Sequence, residues 1–345
     1  MAEPPQDELT QQAINSTDLI TLIMALSMTV HQFKAWIEFM CIKHSGVRDV
    51  IGDKGEEIWV TILSLFFKSS GNTKIFFKEQ DGAYVPNGVE VECMQNPSVH
   101  IFDAWNALAF IFSIASNLDT KPRTKDWYLE LLMAFTIIVS KIADEPGWNV
   151  KPPAVVHILW TKDGLARLQI PIEPDESSAN TAFAHGIGSS MAGPAPGPIW
   201  TQLKRWRQGA IRTTIQAHQP EKAHEFTEMW QDDMDTRHRN FGLCAEVIPY
   251  LAVVYGPLEE KIYGLALRVS SIKTKPAIDC LQSCHEDPIG ALKTLHSICF
   301  LKACNGCVEQ MMRLGAQYLQ YARDANQEPY LLHLNGTEEK CGTEI

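Results

Sequence analysis

Between Ser177 and Pro220 the chain carries no Asp or Glu, although its formal net charge is −11. Lys204, Arg205, Arg207 and Arg212 lie close together in that stretch. Lys204, Gln208 and Arg212 recur at four-residue steps, which puts them on one face of a helix, with Arg205 and Arg207 beside them. Ile199, Leu203, Trp206, Ala210 and Ile215 also recur at helical spacing and form an apolar stripe. Cations gathered on one helix with no acid suit a polyanion, because ammonium and guanidinium groups donate to phosphate oxygens and displace counterions. A solvated helix face that happens to be basic has the same composition, so this stretch alone does not decide.

A second basic run follows in KIYGLALRVSSIKTKPAI, where Lys261, Arg268, Lys273 and Lys275 occur without an acid, near Tyr255 and Tyr263. Cations interleaved with aromatic rings are what a single-stranded nucleic-acid groove uses: charge for the backbone and ring faces for the bases. The two runs flank an acidic segment, Glu221–Asp235, and the pattern allows them to form opposite walls of a cleft. Two ordinary basic helix faces fit the spacing equally well.

The segment from Cys280 to Cys307 holds Cys280, Cys284, His285, His296, Cys299, Cys304 and Cys307. Cys304-Asn-Gly-Cys307 sets two thiols either side of a turn, as zinc knuckles do, and Cys280/Cys284 or His296/Cys299 could complete a tetrahedral site. The spacing matches no standard finger. Cys is also a common small core residue, so buried free thiols are the simpler reading and no metal or cofactor is assigned.

Asp232-Asp233-Met-Asp235 could hold Mg²⁺ on a helix, as the aspartate-rich helix of terpene cyclases does. No second metal motif follows it, and Arg237, His238 and Arg239 flank it, which favours a salt-bridged solvated face. Gly186-Ile-Gly188 begins like a dinucleotide loop, but position 191 is Met and no strand–helix context surrounds it. A phosphate-cradling loop ending in Lys-Ser/Thr and a Gly-x-Ser-x-Gly elbow are both missing from the sequence. No catalytic residue is assigned, and the chain is not expected to be an enzyme.

The chain's 345 residues, 45% of them hydrophobic, can bury a substantial core. The acidic, polar beginning is not that of a secretory signal, and the longest apolar runs, Ala107–Ala115 and Leu131–Val139, are too short to span a bilayer. Nine cysteines without a secretory leader read as reduced intracellular thiols. Helical periodicity predicts helices over 17–41, 55–67, 101–117 and 126–142, then 199–215, 221–239, 245–267, 277–281, 288–301 and 307–325. β-branched and aromatic runs with turn dipeptides predict a hairpin over 73–94 and a second over 154–172. The expected fold is therefore mainly α, with two helical lobes and one or two small hairpins in the first. Its divisions are an N-terminal arm (1–15), a helical lobe (16–175), a Gly/Pro/Ser-rich connector (176–198), a second helical lobe (199–325) and a C-terminal arm (326–345).

The order of these features resembles the nucleoproteins of non-segmented negative-strand RNA viruses. GAYVPNGVEVE (82–92) is similar to the first-lobe hairpin of the pneumovirus branch, and WYLELLMAFTIIVSKIAD (127–144) to the core helix after it. LKRWRQGAIRTTI (203–215) resembles the basic helix that touches the RNA backbone, and IPYLAVVYGPLEEKIYGLALRVSSIKTK (248–275) resembles a second-lobe stretch. The resemblance implies a nucleoprotein that encapsidates single-stranded genomic RNA in a basic groove between two lobes. It implies polymerisation through the arms, a viral phosphoprotein and polymerase as further partners, and no membrane partner. The expected location is the virion nucleocapsid and the host-cell cytoplasm, with the nucleus as the other compartment. It implies Lys204, Arg205, Arg207 and Arg212 as phosphate contacts, with Tyr255, Lys261, Arg268 and Lys273 from the second lobe. Two other classes stay open: an all-α Mg²⁺-dependent enzyme acting through Asp232, Asp233 and Asp235, and a helical coat or scaffold protein without a preformed RNA groove.

Overall fold

A computed structural model describes residues 20–66, 77–80, 83–86, 89–91, 99–101, 103–118, 123–148, 150–161, 185–190, 198–218, 220, 244–246, 249, 261–303, 307–308, 312, 317–320, 330–332 and 338–340. Among the described residues the chain is mainly helical, with one six-stranded mixed sheet and two separate strand pairs. The acidic segment 221–239, the N-terminal arm 1–15 and Tyr255 lie outside these residues.

The described residues 20–66 contain four α-helices: α1 (Leu22–Ser27), α2 (Val30–Ile42), α3 (Ser45–Ile51) and α4 (Gly55–Leu63). The single helix expected over 17–41 is thus two. Met28 turns extended, and Thr29 starts α2 with a capping box in which its side chain accepts from Gln32 N while the Gln32 side chain accepts from Thr29 N. The carbonyls left over where α1 stops are met by Lys141, whose Nζ donates to Leu26 O at 2.6 Å and Met28 O at 2.8 Å.

The expected hairpin region forms β1 (Phe77–Gln80) against β2 (Ala83–Pro86), and β3 (Val89–Val91) against β4 (Val99–Ile101). At the centre stand α5 (Ala104–Asn117) and α6 (Lys125–Asp144), near their expected bounds. Both are apolar around most of their circumference because each is enclosed on most sides, a pattern that only an interior helix can carry. Asp103 caps α5 and Thr124 caps α6 through side-chain oxygens that accept from the first-turn N–H groups.

The sheet departs furthest from the sequence expectation. β5 (Val155–Thr161) pairs antiparallel with β6 (His185–Ser189) on one edge and with β7 (Lys261–Arg268) on the other. β7 continues in parallel to β8 (Gln317–Gln320), which leads to β9 (Tyr330–Leu332) and β10 (Glu338–Lys340). Both edges of β5 are thus taken by distant segments, and the second half of the expected 154–172 hairpin, 162–172, lies outside the described residues. The supposed connector contributes a strand whose five residues are all buried. Its second glycine serves contact: a Cβ on Gly188 would lie 2.2 Å from Ala245 O, so only glycine admits that approach. The helices expected over 245–267 and 307–325 are corrected to strand at Lys261–Arg268 and Gln317–Gln320. IYGLAL in β7 is a continuous apolar run because the strand is buried centrally, and periodicity alone cannot tell such a run from a buried helix. In the expected C-terminal arm, 330–332 and 338–340 pair within the chain's own sheet.

α7 (Pro198–His218) is the basic helix, followed late in the chain by α8 (Lys275–Ser283) and α9 (Pro288–Cys299). One hydrophobic cluster runs from Ile20 through α5, α6 and β5 to β7 and Cys299, joining residues from both expected lobes.

Candidate nucleic-acid interface

α7 is amphipathic in a sense that the sequence reading only half captured. Ala210, Ile211 and Ile215 are buried, whereas Arg205, Arg212, Thr213 and Gln216 are exposed. At 100° per residue Arg205 and Arg212 fall almost in line, two turns or about 10.5 Å apart along the axis. Gly209 lies on the same side between them, and a Cβ there would meet nothing within 4 Å. Lys204 flanks this face and is half-buried.

Arg207 is the correction. It points to the opposite side of the helix, its side chain has no exposure, and its Nη2 donates to Asp103 Oδ2 at 3.0 Å. Burial lowers its pKa, while Asp103 and Cys244 beside it hold the charged form in place. A guanidinium enclosed in this way cannot reach a phosphate outside. It anchors α7 to the start of α5.

Asp103 belongs to a larger arrangement. Its Oδ1 accepts from Asn106 N at 2.9 Å, and Asn106 Nδ2 donates to Oδ2. The Asn106 carbonyl oxygen in turn accepts from both N and Oγ of Ser189, each at 3.2 Å. α7, α5 and the end of β6 are thereby joined through side chains that satisfy one another, as a buried charged group requires.

That junction fixes where the second basic segment stands relative to the first. Ser190 N donates to Val155 O at 2.9 Å, and Val155 is paired with Arg268. Arg268 therefore lies two strand spacings, about 10 Å, from the β6 end that the Arg207 network holds. It is exposed, as is Lys151 just before β5. Lys261 heads β7 at the opposite end of that strand, and its side chain lies outside the described residues. Lys273 is exposed, but its ammonium is bound to Asp144 at the rim of a cleft of about 870 Å³ between the α1–α2 turn, the end of α6 and α8. The structure thus brings Arg268 to the α7 end of the sheet and leaves Lys261 and Lys273 elsewhere. Asp232, Asp233 and Asp235 lie outside the described residues.

At its other end β6 meets uncharged side chains, with the Arg123 guanidinium behind them donating to Asn117 O at 2.9 Å. His185 Nε2 and Ser116 Oγ share a hydrogen bond of 2.5 Å, Ile187 N donates to Ser113 Oγ at 2.7 Å, and Asn117 Nδ2 donates to His185 O at 3.0 Å. The His185 ring stands edge-on to Trp127 and Tyr128, and Tyr128 stacks on Trp160 at 4.3 Å. A serine bonded to a histidine invites a nucleophile reading, but both side chains are wholly buried. Burial, with Arg123 nearby, pushes the His185 pKa well below its usual 6.5. The pair works as a packed structural contact.

The cysteine segment separates into unlike parts. Cys280 Sγ donates to Ala291 O at 3.3 Å, and burial raises the Cys280, Cys284 and Cys299 thiols, the last to about 12. His285 is exposed, and His296 is buried with its ring edge-on to Phe300. These side chains do not converge on a common point. Cys307 instead meets Cys244 and Glu246, which the sequence reading did not single out, and the ligand atoms of the three lie within 4.8 Å of one another. Cys304 lies outside the described residues.

The chain matches no protein-family model, no curated protein and no solved structure. Among the described residues no helix is long and apolar enough to cross a membrane.

Proposed function

We propose that the chain binds the backbone of single-stranded RNA along the outer face of α7 and assembles on it as a viral nucleoprotein. One observation carries this reading: Arg205 and Arg212 stand exposed and in line on a helix that carries no acid, with the open Gly209 between them. Exposed cations at a regular spacing suit a repeating phosphate chain, and contacts of that kind position a strand without reading its sequence. The buried Arg207–Asp103 pair supports the reading indirectly, because it holds the helix rigid against α5 and keeps its outer face oriented. Arg268, exposed at the end of β7 nearest the Arg207 network, would add a further cation to such a surface. Affinity for a long strand would come from many subunits binding side by side, so self-association accompanies the proposal. A phosphoprotein and a polymerase are the partners such a ribonucleoprotein would serve.

The test is fluorescence anisotropy with a labelled single-stranded oligoribonucleotide over a range of salt. The expected result is binding that weakens steeply with salt. Arg205→Gln/Arg212→Gln should bind several-fold more weakly, with the log–log salt slope reduced by about 1.4, two contacts at about 0.7 each for a single strand. Wild-type protein that fails to bind RNA at low salt would overturn the reading. A coat protein without an RNA surface would assemble equally well with and without the two arginines.

A further inference from the structure

We propose that Cys244, Glu246 and Cys307 bind a structural zinc ion that fastens residues 307–308 to the turn at 244–246. Two sulfurs and a carboxylate oxygen already lie within 4.8 Å of one another. Around tetrahedral zinc, with Zn–S near 2.3 Å and Zn–O near 2.0–2.2 Å, donor atoms stand about 3.5–3.8 Å apart. Closing the trio on an ion therefore needs a contraction of only about 1 Å.

The donor set points to the metal. Two thiolates with one carboxylate suit a borderline-soft ion such as Zn²⁺ and are poor ligands for Mg²⁺ or Ca²⁺. Cys307 is 3% exposed and Glu246 is 6% exposed. A carboxylate so enclosed is held in the charged form by cations, hydrogen bonds or a metal. Cys244 is half-buried, which leaves a solvent side where a water molecule can take the fourth position. The Arg207 guanidinium lies beside Cys244, which places a cation next to the trio. Cys280, Cys284 and Cys299 stand outside this trio, and burial is the largest cause that pushes those thiols up.

Position gives the ion a structural task. Ala245, between the two ligands of the turn, abuts Gly188 of β6 so closely that a Cβ there would lie 2.2 Å from its carbonyl oxygen. The third ligand comes from a distant part of the sequence. An ion here would cross-link that later segment to the edge of β6, next to the Arg207 anchor of the basic helix. Binding balances as Zn²⁺ plus two thiols and one carboxylate giving a dithiolate–carboxylate complex and two released protons, so affinity rises with pH.

The test is elemental analysis of the full-length chain purified under reducing conditions without chelator. The expected content is about one zinc per chain, a single four-coordinate structural ion. Cys307→Ser and Glu246→Gln should each lose most of it, and Cys280→Ser, outside the trio, should keep it. Because a ligand variant can fail through misfolding, the wild-type protein carries a second measurement. Replacing zinc by Co²⁺ should produce a thiolate-to-cobalt charge-transfer absorption that added zinc abolishes. Three results would each overturn the proposal: zinc-poor folded protein that gives no such band, zinc retained at full level by folded Cys307→Ser, and a Cys244–Cys307 disulfide in protein kept under reductant. None of these readings depends on RNA binding.

Discussion

The two ends of β6 are tied to the same helix, α5, by opposite chemistry. At Ser189 the tie is charged: Asn106 links the strand to Asp103, which holds the guanidinium of Arg207. At His185 the groups that bond to the strand are uncharged: Ser116, Ser113 and Asn117 hold it inside an aromatic enclosure, with the Arg123 guanidinium donating to the Asn117 and Ser116 carbonyls behind them. The charged end reaches outward to α7 and so governs the orientation of the cationic face. The neutral end reaches inward to Trp127, Tyr128 and Trp160 and carries packing. One short strand thus has one fastening that depends on a paired charge and one that depends on staying uncharged.

Removing the charge partner at the first end should cost most. Arg207→Ala leaves Asp103 buried without its cation, and breaking a buried pair in this way destabilises by about 3–5 kcal/mol. Denaturant titration followed by circular dichroism measures it. Arg207→Ala with Asp103→Ala should lose less than the two single losses added together, and a double variant whose loss equals that sum would show that the two do not couple. A loss under about 1 kcal/mol for Arg207→Ala would return Arg207 to the surface, since exposed charge pairs contribute that little.

The second end should respond to pH. His185 has a folded pKa well below 6.5, so it stays neutral in the fold at pH values where the unfolded chain takes up a proton. The stability that follows is complete above about pH 6.5 and is lost as pH falls below it, by at most about 1.4 kcal/mol per pH unit. Unfolding curves at pH 7.5 and pH 5.5 compare the two conditions, and His185→Gln should flatten the difference. An unchanged pH dependence in that variant would assign the effect to other groups.

Much of the interior was legible in the sequence. The runs at Ala104–Asn117 and Lys125–Asp144 are apolar around most of their circumference, and nothing but a buried helix of that length carries such a pattern. The split between α1 and α2 was legible too, in Thr29-Val-His-Gln32, but the longer periodicity around it masked the capping box. The sheet was not. β5, β6 and β7 are far apart in sequence, and a strand buried on both faces loses the alternation that announces an edge or surface strand. His185–Ser189 reads as linker because it holds glycines, and Gly188 is there for close contact with Ala245 and Pro249, a reason that exists only in three dimensions. The candidate site divides along the same line. Arg205 and Arg212 were legible because exposed charge is local. Arg207 was misplaced because its partner Asp103 lies 104 residues away. Cys244 and Glu246 were passed over for the same reason, since their convergence with Cys307 is tertiary.

The smallest effect probes the helix that the charged end holds. Arg205→Gln/Arg212→Gln should leave the unfolding free energy within about 0.5 kcal/mol of wild type, because surface substitutions without a buried partner rarely do more. Gly209 sharpens the contrast, since its Cβ would enter open space and a helix interior disfavours glycine. Gly209→Ala should therefore stabilise the fold by about 0.5–1 kcal/mol, read as a shift in the denaturation midpoint. If the bare backbone at Gly209 lets a strand approach between Arg205 and Arg212, the same variant should bind RNA more weakly although it is more stable. Greater stability with unchanged RNA affinity would separate the two arginines into independent contacts, with nothing of the strand lying against the helix between them.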